Sequence, residues 1–351
     1  MVNSIQTDVL IIGAGPVGLF AVFELGLLNL NCHVIDILDK PGGQCAQLYP
    51  EKPIYDIPAY PVITGQDLTE NLLKQVKPFS PVFHYEQLAS KIQKLEDGNW
   101  LVETDKGLTF EVKAIVVAAG GGSFEPKKPN IPHLDEYAGS VRYSIDKKDR
   151  FKNKNIVILG GGDSALDWTL QLCDIAKSLT LVHRRDKFRG APATVQKVMD
   201  LRDKRKIQFH IGQVNEIIGD KGNILAVRCT KKDEVLDLPC DILMPFFGLT
   251  MSLGPVDKWG LELADERIVV STETFETSIP GIYAVGDINT YPGKLKLILS
   301  GFHEAAIMCH SAYKLINPGK KNVLKYTTVS GISGFDGSKK EPKKTEINSF
   351  K

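Results

Sequence analysis

Asp8-Val-Leu-Ile-Ile-Gly-Ala-Gly-Pro-Val-Gly18 is the stretch of sequence that decides the fold. Its apolar first half predicts a short buried strand, and an apolar helix-like run over residues 19–30 follows the glycines. Gly13 permits a tight turn, Gly15 lets backbone N–H groups approach a pyrophosphate, and Gly18 lets the helix pack closely on the strand. We therefore predict a dinucleotide-binding turn in which Gly13, Gly15, Pro16 and Gly18 take part.

An acidic residue stands where such a turn needs one. A second predicted strand covers residues 32–37 and carries Asp36, which lies 23 residues after Gly13. A carboxylate at this spacing accepts hydrogen bonds from the ribose hydroxyls of a bound dinucleotide. The strand, helix, second strand and acid together favour a binding site over a chance glycine-rich turn.

The same pattern returns 147 residues later. The stretch Asn155-Ile-Val-Ile-Leu159 predicts a second strand of this kind, and Gly160-Gly-Gly162-Asp163-Ser164-Ala165 follows it. A helix through residue 176 and a strand over residues 179–182 complete the unit. We predict a second dinucleotide site whose contacts include Gly160, Gly162, Asp163, Ser164 and Ala165.

The second unit replaces the acid with a cluster of bases, His183-Arg184-Arg185-Asp-Lys-Phe-Arg189. A carboxylate would repel a 2′-phosphate, whereas guanidinium groups bind one through charge-assisted hydrogen bonds. His183, Arg184, Arg185 and Arg189 therefore predict a preference for NADP(H) over NAD(H), the alternative being a solvated basic turn. Two dinucleotide sites favour FAD in the first and NADPH in the second, a combination that carries hydride chemistry.

Composition excludes several other classes. At about 150 residues per domain, 351 residues predict two domains. The chain is 43% hydrophobic and 24% charged, as expected for a globular protein, and its net charge of +1 gives no support to nucleic-acid or membrane-surface binding. The apolar run over residues 9–38 lacks a preceding positive charge and is broken by polar residues, so we expect neither a signal peptide nor a membrane span.

The six cysteines stand singly, and no two form a C-x-x-C pair. This arrangement excludes a disulfide scaffold and a zinc ribbon and favours a reducing, cytoplasmic location.

Several motifs, in this order along the chain, carry a family resemblance. They are residues 13–18, Gly42-Gly-Gln44, Tyr49-Pro-Glu-Lys52, residues 160–168, residues 183–189, Val285-Gly-Asp287 and residues 300–305. From about residue 8 to about residue 328 the chain resembles the ferredoxin–NADP reductases of the thioredoxin-reductase-like type, which are homodimeric flavoproteins.

The resemblance implies an α/β fold with two Rossmann-like domains, the NADPH domain being inserted into the FAD domain. The FAD domain would comprise residues 1–119 and 248–331, and the NADPH domain residues 120–247. Apolar strands that end at the Gly120–Gly122 triplet and at Gly248 support these joins. Residues 332–351 are expected to form a disordered tail.

Further FAD contacts follow from the resemblance alone. They are Gly43, Gln44, Tyr49, Ala89, Phe124, Asp287 and Thr328. Tyr49 would stack on one face of the isoalloxazine, and Tyr326 is the candidate for the ring that covers the other face. Ordinary core positions for Ala89 and Phe124, and a packing role for Tyr49, are the alternatives.

A helix is expected to begin near Leu297, with its N-terminus towards the flavin pyrimidine, where its partial positive charge would stabilise a negative charge on the reduced ring. Within it, we expect His303 and Glu304 to be surface or dimer-contact residues rather than acid–base catalysts.

The electron acceptor is inferred from what the chain lacks. Thioredoxin reductases carry their redox C-x-x-C just before the second glycine motif, where this chain has Val-Arg-Tyr-Ser-Ile-Asp over residues 141–146. A dithiol relay needs two adjacent thiols, so electrons would leave directly from the flavin, which suits ferredoxin or flavodoxin. An NADPH-dependent reductase of quinones or ferric chelates, and a non-catalytic redox sensor, remain the alternatives.

Ferredoxins are acidic, so the eight Lys and Arg residues between 127 and 154 are a candidate docking segment. A merely solvated face is the alternative for this segment.

Overall fold

A computed structural model describes residues 4–145, 147–232, 234–320, 327–332 and 335. Tyr326 and nearly all of the expected tail lie outside this part of the chain. Within the described residues, the helices are α1 (Pro16–Leu27), α2 (Gly43–Gln47), α3 (Gly65–Val76), α4 (Asp163–Leu172), α5 (Pro192–Asp203), α6 (Ile298–Ile316) and α7 (Thr327–Ser330). Short 3-10 turns cover Lys77–Phe79, Leu134–Tyr137, Lys148–Phe151, Gly254–Lys258 and Gly286–Ile288.

The strands of the described chain form two larger sheets and several small ones. In chain order they are β1 (Ile5–Ile12), β2 (Cys32–Ile35), β3 (Pro53–Ile54), β4 (Ile63–Thr64), β5 (Val82–His84), β6 (Ala89–Lys94), β7 (Trp100–Thr104), β8 (Thr109–Val117), β9 (Ser123–Pro126), β10 (Asn155–Leu159), β11 (Ser178–His183), β12 (Gln208–Ile211), β13 (Gln213–Asp220), β14 (Asn223–Lys231), β15 (Glu234–Pro239), β16 (Ile242–Pro245), β17 (Leu249–Ser252), β18 (Leu263–Ala264), β19 (Arg267–Val269), β20 (Ile282–Ala284) and β21 (Asn289–Thr290).

The first sheet has the order β5-β2-β1-β8-β7-β6 and is parallel from β5 to β8. Its central strand β1 is completely buried over Val9, Leu10 and Ile11. Strands covered on both faces are expected to be continuously apolar, which explains the unbroken Val-Leu-Ile-Ile run. Helices α1 and α6 pack against each other beside this sheet.

A distant segment completes this first sheet. Strand β8 pairs with β7 through its first half and with β20 through its second half, where Ile282 lies opposite Ile115. Residues of α6, such as Ala305 and Met308, belong to the same hydrophobic core as β1. The chain that follows the second nucleotide unit therefore returns to the first unit, and the expected insertion of one Rossmann-like unit into the other is confirmed.

The second unit has its own parallel sheet, of order β12-β11-β10-β16. Strand β10 is central, so it repeats the position that β1 holds in the first sheet. A three-stranded antiparallel sheet, β13-β14-β15, belongs to the same unit. The chain passes between the units at β9 and β17, which pair antiparallel with each other.

Several predicted bounds differ from the structure. Helix α1 covers Pro16–Leu27 rather than residues 19–30, and β11 covers Ser178–His183 rather than residues 179–182. Strand β2 ends at Ile35 rather than at residue 37, because the Asp36 carboxylate accepts a hydrogen bond from the Leu38 N–H and closes a local turn. Helix α4 ends at Leu172 rather than at residue 176, where turn hydrogen bonds from Ile175 and Ala176 to the Leu172 carbonyl take over. Among the helices of the described chain, none combines the length and apolar character that crossing a membrane requires.

Candidate functional site

The first candidate site is a cavity of about 160 Å³ at the carboxyl ends of β1 and β8. It gathers residues from segments that are far apart in the sequence. The predicted residues that line it are Gly13, Gly15, Pro16, Asp36, Gly43, Gln44, Tyr49, Ala89 and Asp287. Ligands of open α/β sheets bind at this edge of the strands, so the cavity has the position expected of a nucleotide site.

Close packing explains the glycines of the first turn. Gly13 has a φ of +113°, and a Cβ added there would lie 2.4 Å from the Ala118 carbonyl oxygen. A Cβ on Gly18 would lie 2.0 Å from the Gly13 carbonyl oxygen, so Gly18 serves the packing of α1 and does not line the cavity. Helix α1 begins at Pro16, which has no N–H, and it lacks a side-chain cap, which leaves the next amides, those of Val17 and Gly18, available to an anionic group.

The Asp36 carboxylate is buried and organises the turn itself. Its Oδ2 accepts a hydrogen bond from the Ala14 N–H at 2.6 Å, and its Oδ1 accepts one from the Leu38 N–H at 2.8 Å. Burial raises the pKa of Asp36, and the backbone hydrogen bonds partly offset that rise. Each carboxylate oxygen has a second lone pair, so the group retains the capacity to accept ribose hydroxyls.

Tyr49 lies at the end of the segment that begins with Gly42 and Gly43. A Cβ on Gly43 would lie 3.1 Å from the Gly15 Cα, so this segment crosses directly over the first glycine turn. The Tyr49 hydroxyl accepts a hydrogen bond from the Cys45 thiol, with 3.6 Å between the two heavy atoms. Burial raises the pKa of Tyr49, which keeps the phenol protonated.

Four residues predicted for this site are not placed in the cavity. Gly18 lies beneath the turn, and Thr328 is exposed on α7. Only the backbone of Phe124 is described, as part of β9, and Tyr326 lies outside the described residues. Roles for these residues in FAD binding therefore stay predictions.

Sequence reasoning missed several residues that line this cavity. They include Val17, Gln87, Leu88, Gly120, Gly122 and Gly286. The glycine triplet and the Val285-Gly-Asp287 motif were visible signals, but Gln87 and Leu88 carry no recognisable pattern. They reach the cavity because Gln87 donates its N–H to the Asp36 carbonyl oxygen just beyond β2.

The second candidate site is a cavity of about 1070 Å³ beside the second glycine turn. The predicted residues that line it are Gly160, Gly162, Asp163, Ser164, His183, Arg184 and Arg189. Ala165 and Arg185 do not. Ala165 is buried directly under Gly160, where a Cβ would lie 3.0 Å from the Ala165 Cβ.

Backbone hydrogen bonds hold the basic segment against this turn. The Arg189 N–H donates to the Gly161 carbonyl oxygen, and the Ala191 N–H donates to Asp163 Oδ1, both at 2.8 Å. Asp163 thus anchors the loop that carries the arginines. Helix α4 begins after Gly162 without a side-chain cap, so its first amides are again available to a phosphate.

The positive charge of the basic segment at this cavity comes from arginine rather than from histidine. The side chains of Arg184 and Arg189 are exposed at its edge. The His183 ring stacks on Phe188 with 5.4 Å between centroids, and burial together with the neighbouring arginines lowers the pKa of His183. His183 is therefore neutral at pH 7 and offers hydrogen bonding rather than positive charge.

The two cavities share a wall. Gln44 and Tyr49 line both of them, and Lys52 lines the second. An ion pair between Lys52 Nζ and Asp167 Oδ2 at 2.6 Å joins the units next to this wall. Groups bound in the two cavities would therefore meet at Gln44 and Tyr49.

One expectation for α6 was wrong. His303 is exposed as expected, but Glu304 is completely buried rather than on the surface. It accepts hydrogen bonds from the Gly286 N–H, the Asn289 amide and the Tyr291 hydroxyl, and it pairs with Lys294. The helix begins at Ile298, and both Leu297 and Ile298 line the first cavity, as expected for its N-terminus.

Comparison with known proteins defines the class. The chain belongs to the pyridine nucleotide-disulphide oxidoreductase family, whose model matches residues 7–306.

Two curated relatives narrow the assignment, and both are named ferredoxin–NADP reductase. The protein of Parvibaculum lavamentivorans is 57% identical over 330 residues, covering 93% of this chain and 96% of the relative. That of Mesorhizobium japonicum is 55% identical over 332 residues, covering 94% and 97%. The resemblance expected from the motifs is confirmed.

Among solved structures, thioredoxin reductase from Lactococcus lactis in its FR conformation is similar in fold. It superimposes with a TM-score of 0.72 at 27% identity, covering 88% of this chain and 99% of that protein. The expected thioredoxin-reductase-like α/β fold is confirmed.

Proposed function

We propose that this protein is a flavoprotein reductase that binds FAD in the first cavity and NADPH in the second, and that exchanges electrons with ferredoxin. The observation that carries the proposal is the wall of Gln44 and Tyr49 that the two cavities share. Two nucleotide sites that meet at one aromatic residue are suited to electron transfer between the two bound nucleotides. The curated relatives named ferredoxin–NADP reductase support the choice of acceptor.

The first cavity fits FAD by its own chemistry. The uncapped amides at the start of α1 would hold the pyrophosphate, and Asp36 would accept the ribose hydroxyls. Gln44, Tyr49, Ala89 and Asp287 are proposed to contact the rest of the cofactor, with Phe124, Thr328 and Tyr326 as further contacts. Bound FAD supplies hydride acceptance and the release of electrons one at a time.

The second cavity fits NADPH in the same way. The uncapped start of α4 would hold the pyrophosphate, while Arg184 and Arg189 would bind the 2′-phosphate. We assign Asp163 the positioning of the basic loop, because it already accepts the Ala191 N–H. Arg185 remains a candidate that would act through its charge from outside the cavity.

The positions of the cysteines support direct electron exchange between the flavin and a protein acceptor. Of the residues that line the two cavities, Cys45 alone carries a thiol, and it is a free cysteine. A dithiol relay needs a second thiol beside it. The basic segment over residues 127–154 is proposed to dock an acidic partner such as ferredoxin or flavodoxin, and its Lys127 lines the second cavity.

Anaerobic titration tests the proposal. Purified protein should be yellow, NADPH should bleach the flavin, and NADH should do so far less effectively. Turnover with ferredoxins and flavodoxins from the host is then compared with a panel of quinones and ferric chelates. Higher kcat/KM for the small acceptors would favour the rival reductase, and a flavin that NADPH fails to bleach would favour a redox sensor.

We also propose a homodimer. Exposed apolar side chains of two segments flank one buried cluster, in which Ile57 and Ile63 pack with Ile298. These side chains are Tyr55, Tyr60, Val62, Leu295, Leu297 and Leu299. Such a patch is typical of a protein interface. Sedimentation equilibrium should give twice the mass of the 38.7 kDa chain, and a monomer at micromolar concentration would contradict the proposal.

The division of the chain is proposed as residues 1–119 with 248–331 for FAD and 120–247 for NADPH. The pairing of β9 with β17 supports joins close to these bounds. A cytoplasmic location is proposed because all six cysteines are unpaired thiols. Separate expression of residues 120–247 should yield a folded unit that binds NADPH, and an unfolded product would contradict these bounds.

A further inference from the structure

A buried ion pair lies directly behind the first cavity. Glu304 on α6 is completely buried, and the side chain of Lys294 is 6% exposed. Lys294 Nζ contacts Glu304 Oε1, which also accepts the Tyr291 hydroxyl at 2.9 Å. The other oxygen, Oε2, accepts the Gly286 N–H at 2.7 Å and the Asn289 amide at 2.9 Å. Each carboxylate oxygen thus has two donors, which is what a buried charge requires.

Both charges of the pair converge on a single glycine. The Gly286 N–H donates to Glu304, and the Gly286 carbonyl oxygen accepts a hydrogen bond from Lys294 Nζ at 2.9 Å. Gly286 has a φ of +81°, in the left-handed region. Opposite charges therefore hold the two polar groups of one residue in a conformation that other residues rarely adopt.

The clamped glycine belongs to the wall of the cavity. Gly286 and the next residue, Asp287, both line it, whereas Glu304 and Lys294 do not. Helix α6 approaches closely enough to place Glu304 there because it has Gly301 one turn earlier, where a Cβ would lie 2.3 Å from Val17 Cγ2. Val17 is itself in the first turn of α1 and lines the same cavity.

We propose that Glu304 and Lys294 are positioning residues that hold the Gly286–Asp287 turn and so present Asp287 to FAD. They act through the turn and do not touch the cofactor. Their opposite charges balance each other within the protein, so their effect is on geometry rather than on net charge at the flavin. This inference rests on the proposed binding of FAD in the first cavity.

Three variants test the pair: Glu304→Gln, the double variant Glu304→Gln/Lys294→Met, and the milder Tyr291→Phe. Lys296→Met changes an exposed lysine next to the pair and is the control. Apoprotein is prepared from each, its folding is checked by circular dichroism, and its Kd for FAD is measured by fluorescence quenching. We expect Glu304→Gln to weaken FAD binding about tenfold or more, the value of one charge-assisted hydrogen bond. The double variant also removes the Lys294 hydrogen bond to the Gly286 carbonyl oxygen, so it should weaken FAD binding at least as much as Glu304→Gln alone. Its fold should be less destabilised than that of Glu304→Gln, because no unpaired lysine remains buried.

A thermodynamic cycle that combines Glu304→Gln with Asp287→Asn tests whether the ion pair affects FAD binding through Asp287 or through a general weakening of the site. If the pair acts through the turn, Glu304→Gln should change the Kd for FAD much less in the Asp287→Asn background than in the wild type. Equal changes in both backgrounds would overturn the proposal, as would an unchanged Kd in the folded variants. Tyr291→Phe keeps the test open if Glu304→Gln does not fold, since it removes one hydrogen bond and no charge; it should weaken FAD binding less than Glu304→Gln.

Hydrogen exchange provides a readout that does not involve FAD. In the apoprotein, the peptide that contains Gly286 should exchange faster in Glu304→Gln than in the wild type or in Lys296→Met. Unchanged exchange would overturn the positioning role. If wild-type apoprotein bound no FAD while exchange responded as expected, the function proposed above would fail and the clamp on the turn would stand.

Discussion

Lys52 and Asp167 form an ion pair at 2.6 Å that joins the two nucleotide-binding units of the protein. Each residue belongs to a motif that carries the family resemblance, Tyr49-Pro-Glu-Lys52 in one case and residues 160–168 in the other. A second contact lies beside it, because the Lys148 N–H donates to Glu51 Oε2 at 3.2 Å. Two motifs that look independent in the sequence thus form one interface, next to the Tyr49 wall.

The first prediction concerns the strength of this ion pair. The side chains are 31% and 25% exposed, so solvent screens the interaction. In a double-mutant cycle of Lys52→Met and Asp167→Asn, we expect a coupling free energy of about 0.5 kcal/mol. Denaturant unfolding of the four proteins at low and high salt measures it, and the coupling should shrink at high salt. Lys206 and Asp174 pair within one unit and give the control cycle.

Loss of the Lys52–Asp167 ion pair should also make proteolysis between the units, at β9 and β17, more rapid. Loss of the control pair should not.

The second prediction concerns coenzyme preference. Arg184 and Arg189 line the second cavity and Arg185 does not. Each arginine that binds a 2′-phosphate contributes a charge-assisted hydrogen bond, so Arg184→Ala/Arg189→Ala should lower the NADPH-over-NADH ratio of kcat/KM by about 100-fold. Arg185→Ala is the matched comparison and should lower the ratio less, because Arg185 would act only through its charge from outside the cavity. A ratio that survives the double change, or that falls equally in Arg185→Ala, would contradict the assignment.

The third prediction separates steric overlap from backbone strain. A Cβ on Gly13 would overlap the Ala118 carbonyl oxygen, whereas Gly107, at a φ of +84°, has nothing within 4 Å of such a Cβ. Gly107→Ala should therefore lower the unfolding free energy of the apoprotein by about 1 kcal/mol, the conformational cost alone. Gly13→Ala should cost more and should also weaken FAD binding. Urea unfolding and FAD titration measure the two effects, and equal losses in the two variants would disprove the overlap.

The fourth prediction concerns pH. His33 Nδ1 and His84 Nε2 are 3.0 Å apart, so one proton lies between two stacked rings. Burial lowers the pKa of both residues below the ordinary histidine value of 6.5, and the charge of His84 lowers the pKa of His33 further. The unfolded chain then binds more protons below pH 6.5, and stability should fall as the pH drops through that value.

Urea unfolding across this range, in the wild type and in His33→Gln/His84→Gln, measures the effect of the pair. Burial raises the pKa of the half-buried Glu24 and of the buried Asp36, and these acids act in the opposite direction. The readout is therefore the difference between the two proteins in the slope of unfolding free energy against pH. The variant should lose less stability on acidification. Identical slopes would rule out a contribution from the histidine pair.

Local patterns were enough to predict the two nucleotide turns. Gly13 and Gly160 are needed where they stand because backbone carbonyls of Ala118 and Phe246 lie within 3 Å of an added Cβ. A strand that is covered on both faces must be apolar throughout, so β1 and β10 are also visible in the sequence. These constraints act over a few residues and leave a signature in residue type.

Arg185 and Glu304 illustrate what such patterns do not contain. Arg184 and Arg185 are adjacent and chemically identical, yet of the two only Arg184 lines the cavity, just beyond the end of β11. An acid on a helix is normally exposed, and Glu304 is buried only because Lys294, Tyr291, Asn289 and Gly286 all converge on it. No sequence spacing indicates that convergence.

The sequence by itself determined that the chain has two dinucleotide-binding units, that the second carries bases in place of an acid, and that it lacks a dithiol motif. Steric demands on the backbone and the charge of individual side chains are local, so they can be inferred from residue type and spacing. Only the tertiary structure decided that Gln44 and Tyr49 form a common wall, that Lys52 meets Asp167, and that a buried ion pair holds Gly286. These relationships depend on packing between segments separated by many residues, because burial, rather than spacing, selects the partners of a charged group.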